Sequence, residues 1–248
     1  MADGLIREGL LKAYPDVPII SEESEQLPFE QRKGFEYYWI VDPLDGTKEF
    51  MKRTGDFAVL IGLCFRGSPV LGVVYAPAQD VPRMYYAISG KGAFVLEGAE
   101  HVTEIEHSRR ISARPFSLSQ PGLKLAVSTS RPPEAFIATF EHPERLGIGS
   151  AGLKAIAVAM GKADIYPCFY STSEWDTCAT QVIVEEAGGS VVRFDGEATR
   201  GLMGAGALKQ PLTDSSGERR NIESEFKLGY NKENLANPDC LFLGKFRD

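Results

Sequence analysis

Residues 57–65, FAVLIGLCF, and 69–77, PVLGVVYAP, are two apolar runs separated only by Arg66-Gly67-Ser68. A connection that short forces antiparallel neighbours, because parallel strands need a crossover of about a dozen residues or more. RMYYAIS and GAFVLEG, around Gly90-Lys91-Gly92, repeat the arrangement. EYYWIVD, residues 36–42, reads as a further strand, rich in aromatic and β-branched side chains. Ahead of it, GLIREGLLKAYP places Leu5, Ile6, Gly9, Leu10 and Ala13 at helical spacing until Pro15 stops the helix. VPIISEES follows as a short strand running into acid. The first part of the chain is therefore expected to be a helix on a largely antiparallel sheet, α+β in character.

After the polar stretch from His101 to Gln120 the pattern changes. LKLAVSTS, SAGLKAIAVAMG, ADIYPCF, DTCATQVIVEEAGG and SVVRF alternate strand and helix, the signature of an α/β unit. The boundary is expected near residues 110–122, around Pro115 and Pro121-Gly122. This gives an α+β part over 1–116 and an α/β part over 117–248. The polar run from Leu208 to Glu225 is expected to be a surface loop.

A chain of 248 residues buries a real core as one large domain or two modest ones. With 34 acidic against 27 basic side chains and a net charge of −7, it offers no general surface for a nucleic-acid polymer or an acidic membrane. A small anionic ligand stays compatible, given local positive charge or a metal. Cys64, Cys168, Cys178 and Cys240 show no C-x-x-C spacing and sit among apolar or small residues, as reduced structural cysteines do. Three histidines, His101, His107 and His142, argue against a zinc centre. No apolar run is long enough to span a bilayer and no signal peptide opens the chain, so a reduced cytoplasmic compartment is the expectation.

The stretch WIVDPLDGTKEF, residues 39–50, ends a buried strand with two aspartates, Asp42 and Asp45, three positions apart. Asp-Pro and Asp-Gly mark turns, Glu22-Glu23 can be a solvated strand end, and Asp176 can be a helix N-cap. Together, however, they bring acid to three separate strand ends or helix starts, two of them in apolar or aromatic settings. Buried carboxylates cost several kcal/mol, roughly, unless paired or coordinated. The nearby bases are Lys48, Lys52 and Arg53. A hard divalent cation compensates better: Mg²⁺ takes carboxylate, carbonyl and water oxygens at about 2.1 Å and commonly retains phosphate ligands. Pro43 stiffens the turn and Gly46 permits close approach, so both aspartates can face one centre with the Leu44 carbonyl between them.

ISEES, WIVDPLDGTKEF and EWDTCATQVIVEEAGG, in that order, resemble the inositol monophosphatase superfamily of Mg²⁺-dependent, lithium-sensitive phosphatases. The resemblance runs from about Leu5 to NKENLANPDCLFLGK, nearly the whole chain. Within it, DPLDGTKEF and EWDT look like the 3′(2′),5′-bisphosphate nucleotidases, because inositol monophosphatases more often carry threonine and asparagine in place of Lys48 and Glu49. It implies a layered αβαβα sandwich with the site between its two parts. It implies two or more Mg²⁺ ions and hydrolysis of a small phosphorylated nucleotide, adenosine 3′,5′-bisphosphate, to AMP and phosphate. Inositol monophosphatase or another sugar-phosphate phosphatase is the alternative within the same class. The resemblance leaves a homodimer open.

Position by position, it makes Glu22, Asp42, the Leu44 carbonyl, Asp45 and Asp176 metal ligands. Thr47 orients the nucleophilic water beside Glu22, and Asp45 shares in catalysis. Leu44, Asp45, Gly46 and Thr47 frame the phosphate, with Asp176 also on the substrate side. Gly149-Ser150 is either the substrate-facing turn of the family or a plain serine N-cap. Ser128 to Arg131 reads Ser-Thr-Ser-Arg where the family often has Ser-Arg-Ser-His near the nucleoside. Trp39 and Trp175 are expected to be packing residues, His101 and His107 solvated, and Glu185 and Glu186 an exposed helix face. One departure stands out: the family's Thr-x-Ala-Asp aspartate falls upstream of Met1, and Asp3 is not its equivalent. On that ground either the start is truncated, or the rival expectation holds, a catalytically weakened phosphonucleotide-binding protein.

Overall fold

The computed structural model describes residues 1–98, 105–118, 120–194 and 228–246. The polar run at 208–225 and His101 lie outside the described residues. The chain begins with α1 (Ala2–Ala13), β1 (Ile19–Ser21), the short α2 (Phe29–Arg32), β2 (Tyr37–Asp45) and α3 (Thr47–Lys52). Then come β3 (Ala58–Phe65), β4 (Ser68–Ala76), β5 (Arg83–Ile88), β6 (Gly92–Glu97) and β7 (Arg109–Ile111). Strands β1 to β7 form one sheet in sequence order, parallel at β1–β2 and antiparallel at every other pair. The β3–β4 turn is tighter than Arg66-Gly67-Ser68, because Ser68 already pairs with Phe65. Arg66 and Gly67 have φ of 48° and 79°, the left-handed pair that matches strand twist in a two-residue hairpin.

The chain continues with β8 (Pro115–Phe116), β9 (Lys124–Val127), α4 (Glu134–Ile137), β10 (Glu144–Gly147), α5 (Ala151–Ala159) and β11 (Ile165–Cys168). It closes with α6 (Glu174–Glu186), β12 (Ser190–Arg193), β13 (Cys240–Leu243) and β14 (Lys245–Phe246). The second sheet has the order β10-β9-β11-β13-β12; β10, β9 and β11 run parallel, and β13 is antiparallel to both its neighbours.

Five layers result. Helix α6 lies so close on the first sheet that a Cβ at Gly62 would meet the Cys178 sulfur at 2.4 Å. Helix α5 lies beside α6 and against β9 and β11 of the second sheet. Ala126, Tyr166 and Phe242 on that sheet join the core facing the helix pair. Their chain neighbours Leu125, Ile165 and Leu241 face the opposite way and bury Phe136 and Ile137 of α4, the period-two alternation of a strand covered on both faces. Helix α1 covers the outer face of the first sheet, with Tyr14 and Trp39 ring centroids 5.7 Å apart. The order is α1, sheet, α5 with α6, sheet, α4: the expected αβαβα sandwich.

Glu186 is not part of a free helix face. Its two carboxylate oxygens accept the Gly90 and Gly92 amides, each at 2.7 Å, and fasten the end of α6 to the β5–β6 turn. All four cysteines are free and buried.

Candidate active site

Asp42 and Asp45 lie on one strand, three residues apart, and a regular pleat would point them to opposite faces. The register resolves this: Asp42 pairs with Leu60 and Asp45 with Ala58, three steps on β2 against two on β3. The extra residue is a β-bulge at Pro43-Leu44, a place where a residue with no N–H is tolerated. Strand β2 therefore does not stop at Asp42; it bends and delivers both carboxylates to the face covered by α5 and α6. Asp176 comes to the same point from the third position of α6, which starts at Glu174, two residues earlier than its apolar pattern indicates. Ligand oxygens of Asp42, Asp45 and Asp176 all lie within 4.8 Å of one another.

Each acid is held differently. Asp45, 5% exposed, takes the Ser150 hydroxyl and the Gly152 amide (2.6 Å) on one oxygen and the Ala151 amide (3.2 Å) on the other. It thus caps the N-terminus of α5, where free amides and the helix dipole favour a negative charge. Gly152 makes room for this: a Cβ there would sit 2.9 Å from the Asp45 Oδ2. Asp42 receives the Leu44 amide at 2.8 Å, and Asp176 the Ser173 amide at 2.6 Å. Burial, followed by the charges of Asp45 and Glu22, pushes the Asp42 carboxyl up to about 10. Burial raises Asp45 as well, against the pull of Ser150, Gly152 and Lys154. Asp176 is pushed up to about 7, again chiefly by burial, with Asp45 and Glu22 adding repulsion. Two buried acids and one half-buried acid that resist ionising together are the donor set a hard cation satisfies.

Glu22 stands apart from that group. Its amide bonds the Val41 carbonyl at 3.1 Å, placing it beside Asp42 at the end of β1, and it is exposed at the rim. Thr47, also exposed, donates its hydroxyl to the Leu44 carbonyl at 3.3 Å. Gly46 precedes α3 with φ of 90°, and a Cβ there would come within 2.7 Å of the Asp56 carbonyl. Ser150 is fully buried; it caps α5 by accepting the Leu153 amide at 3.0 Å while donating to Asp45. Gly149 faces a cavity of about 180 Å³, lined also by Asp45, Asp176, Lys48, Arg131 and Lys154. Asp3 is engaged elsewhere, accepting the Ser21 hydroxyl at 2.5 Å and the Ser24 hydroxyl at 3.2 Å. Trp39 is buried against Tyr14, and Trp175 packs on the core.

Lys154 is the residue sequence reading passed over. It is 1% exposed, bonds the Gly149 carbonyl at 3.2 Å and lies over the Tyr166 and Tyr170 rings at 5.2 and 5.3 Å. Burial lowers its pKa, while Asp45 works the other way. The signal was present: a single cation inside the small, apolar helix AGLKAIAVA.

Among the described residues no helix is long and apolar enough to cross a membrane. The inositol monophosphatase family model matches residues 1–225. The 3′(2′),5′-bisphosphate nucleotidase CysQ of Salmonella typhimurium is 40% identical over 202 residues, covering 79% of this chain and 74% of its own. The crystal structure of CysQ from Bacteroides thetaiotaomicron, a bacterial member of the inositol monophosphatase family, matches with a TM-score of 0.74 at 33% identity, over 98% of this chain and 82% of its own. An inositol monophosphatase from Anabaena matches with a TM-score of 0.63 at 28% identity, over 78% of this chain and 73% of its own.

Proposed function

This chain belongs to the inositol monophosphatase family, and we propose that it is a Mg²⁺-dependent 3′(2′),5′-bisphosphate nucleotidase, hydrolysing adenosine 3′,5′-bisphosphate to AMP and phosphate. The observation that carries this reading is one cavity lined by Asp45 and Asp176 together with Lys48, Arg131 and Lys154. A substrate with a single phosphate needs only the acids, once metal is bound. A second phosphate gives the cations their partner. The two CysQ proteins share 40% and 33% identity with this chain, against 28% for the Anabaena inositol monophosphatase, which favours the same choice.

Asp42, Asp45, Asp176, the Leu44 carbonyl and Glu22 are the residues that would hold the metal; all offer oxygen, as Mg²⁺ prefers. A metal held there would supply positive charge to the phosphate and a lowered pKa to water. The chain's own contribution is positional. Thr47, steered by its bond to the Leu44 carbonyl, orients the attacking water, and Glu22 at the rim takes its proton. Leu44, Gly46 and Thr47 frame the scissile phosphate, and Gly149 borders it from the α5 side. Ser150 acts from behind, fixing Asp45 rather than touching substrate. Attack on phosphorus breaks the P–O bond to the ribose directly, and the released oxygen picks up a proton. No covalent intermediate forms.

Phosphate release from adenosine 3′,5′-bisphosphate and from inositol 1-phosphate, with Mg²⁺ or with a chelator, tests the reading. Release that needs Mg²⁺ and favours the bisphosphate in kcat/KM by about tenfold or more, ~1.4 kcal/mol of discrimination, is the expected result. A preference for inositol 1-phosphate would move the activity to the sugar-phosphate class. Tight bisphosphate binding without turnover would make the chain a phosphonucleotide-binding protein.

A further inference from the structure

Asp176 is the acid whose placement depends on a helix end, and helix ends fray. Its carboxylate is tied to the Ser173 amide, one residue outside α6, so it goes wherever the first turn goes. That turn is gripped by a segment distant in sequence. The Asn237 side-chain amide donates to the Ser173 carbonyl at 2.6 Å and to the Thr177 hydroxyl at 2.9 Å, one partner on each side of Asp176. Its backbone amide bonds the Thr172 carbonyl at 2.8 Å, and Ala236 bridges Ser173 as in a sheet. Glu174, fully buried at the first helical position, accepts the Asn231 and Lys232 amides at 2.5 and 3.0 Å. Asn231 has φ of 60°, a left-handed geometry that asparagine tolerates and that turns two successive amides toward one anion. Pro238 holds Asn237 extended, and the chain then enters β13, between β11 and β12 at the heart of the second sheet.

We propose that the segment from Asn231 to Asn237 is a clamp that positions Asp176 for metal binding, with Asn237 and Glu174 as its positioning residues. Neither side chain reaches the metal; both set the direction of one that does. The inference rests on the reading of Asp176 as a metal ligand. Partners that orient a metal ligand in this way typically change metal affinity by about 10–100-fold when removed.

The experiment follows thermal unfolding of wild type, Asn237→Ala, Glu174→Gln and Asp176→Asn across a Mg²⁺ titration, beside Mg²⁺-dependent phosphate release. Asn237→Ala and Glu174→Gln should raise the Mg²⁺ concentration for half of the thermal shift by about tenfold or more. The same rise should appear in the Mg²⁺ requirement for turnover, while kcat at saturating Mg²⁺ stays within about threefold. A lower metal-free melting temperature with an unchanged Mg²⁺ midpoint in both variants would reduce the clamp to scaffolding and overturn the proposal. If Asn237→Ala does not fold, the milder Glu174→Gln decides by the same criterion. An undiminished Mg²⁺ response in Asp176→Asn would instead overturn the ligand reading beneath it.

Discussion

Asp42 and Asp45 stand three residues apart on one strand, face one centre, and are compensated in opposite ways. Asp45 has its partners inside the protein, a serine hydroxyl, two amides of the α5 N-terminus and, farther off, Lys154, which work against the burial that raises it. Asp42 has a single amide from Leu44 and the repulsion of Asp45 and Glu22. The difference teaches that the site is half built by the fold and half left for a ligand to finish. Asp45 is an anchor for the two parts of the chain. Asp42 is the acid that a bound cation would satisfy.

Several substitutions separate the two roles. Asp45→Asn and Asp42→Asn should both cost turnover about 10³-fold or more, the scale of losing a charged group at a reacting centre. A single-digit loss in either, measured as kcat/KM at saturating Mg²⁺, would break the assignment. Ser150→Ala should act on the anchor alone. It removes a hydrogen bond to Asp45 and the cap of α5, lowering activity by about 10–100-fold and stability by about 1–2 kcal/mol. Activity unchanged in that variant would mean that Asp45 holds its place without Ser150. The sharpest contrast is in the metal-free protein. Asp42→Asn should stabilise it by about 1–4 kcal/mol at neutral pH, because folding no longer has to protonate a carboxyl held well above its ordinary range. Asp45→Asn should gain less, because relief of its burial is offset by the loss of charge-assisted hydrogen bonds worth about 1.5–3 kcal/mol. Denaturant melts in chelator read both changes. Equal gains would erase the distinction.

Sequence pattern carried the hairpins, α1, α5 and the body of α6, because their apolar periods and turn residues are long enough to read. It did not carry α2, α4, β7, β8, β10, β13 or β14, which are two to four residues each. The type of site was legible from acids in apolar settings. Its geometry was not. Pro43 reads as the end of a strand, whereas the strand continues through it as a bulge, and that bulge is what aligns the two aspartates. Asp176 reads as a cap just before a helix, but Glu174 and Trp175 already belong to α6. Lys154 hid in a helix whose apolar character suggested only core. Glu186, at the end of another, looked solvated because its partners, the Gly90 and Gly92 amides, lie far away in sequence.

The most direct test of the half-built site is calorimetric titration of Mg²⁺ into the metal-free wild type and into Asp42→Asn. Saturable binding to the wild type, weakened by about tenfold or more in Asp42→Asn, is the outcome expected if Asp42 awaits a cation. Equal binding to the two proteins, or none to the wild type, would contradict it.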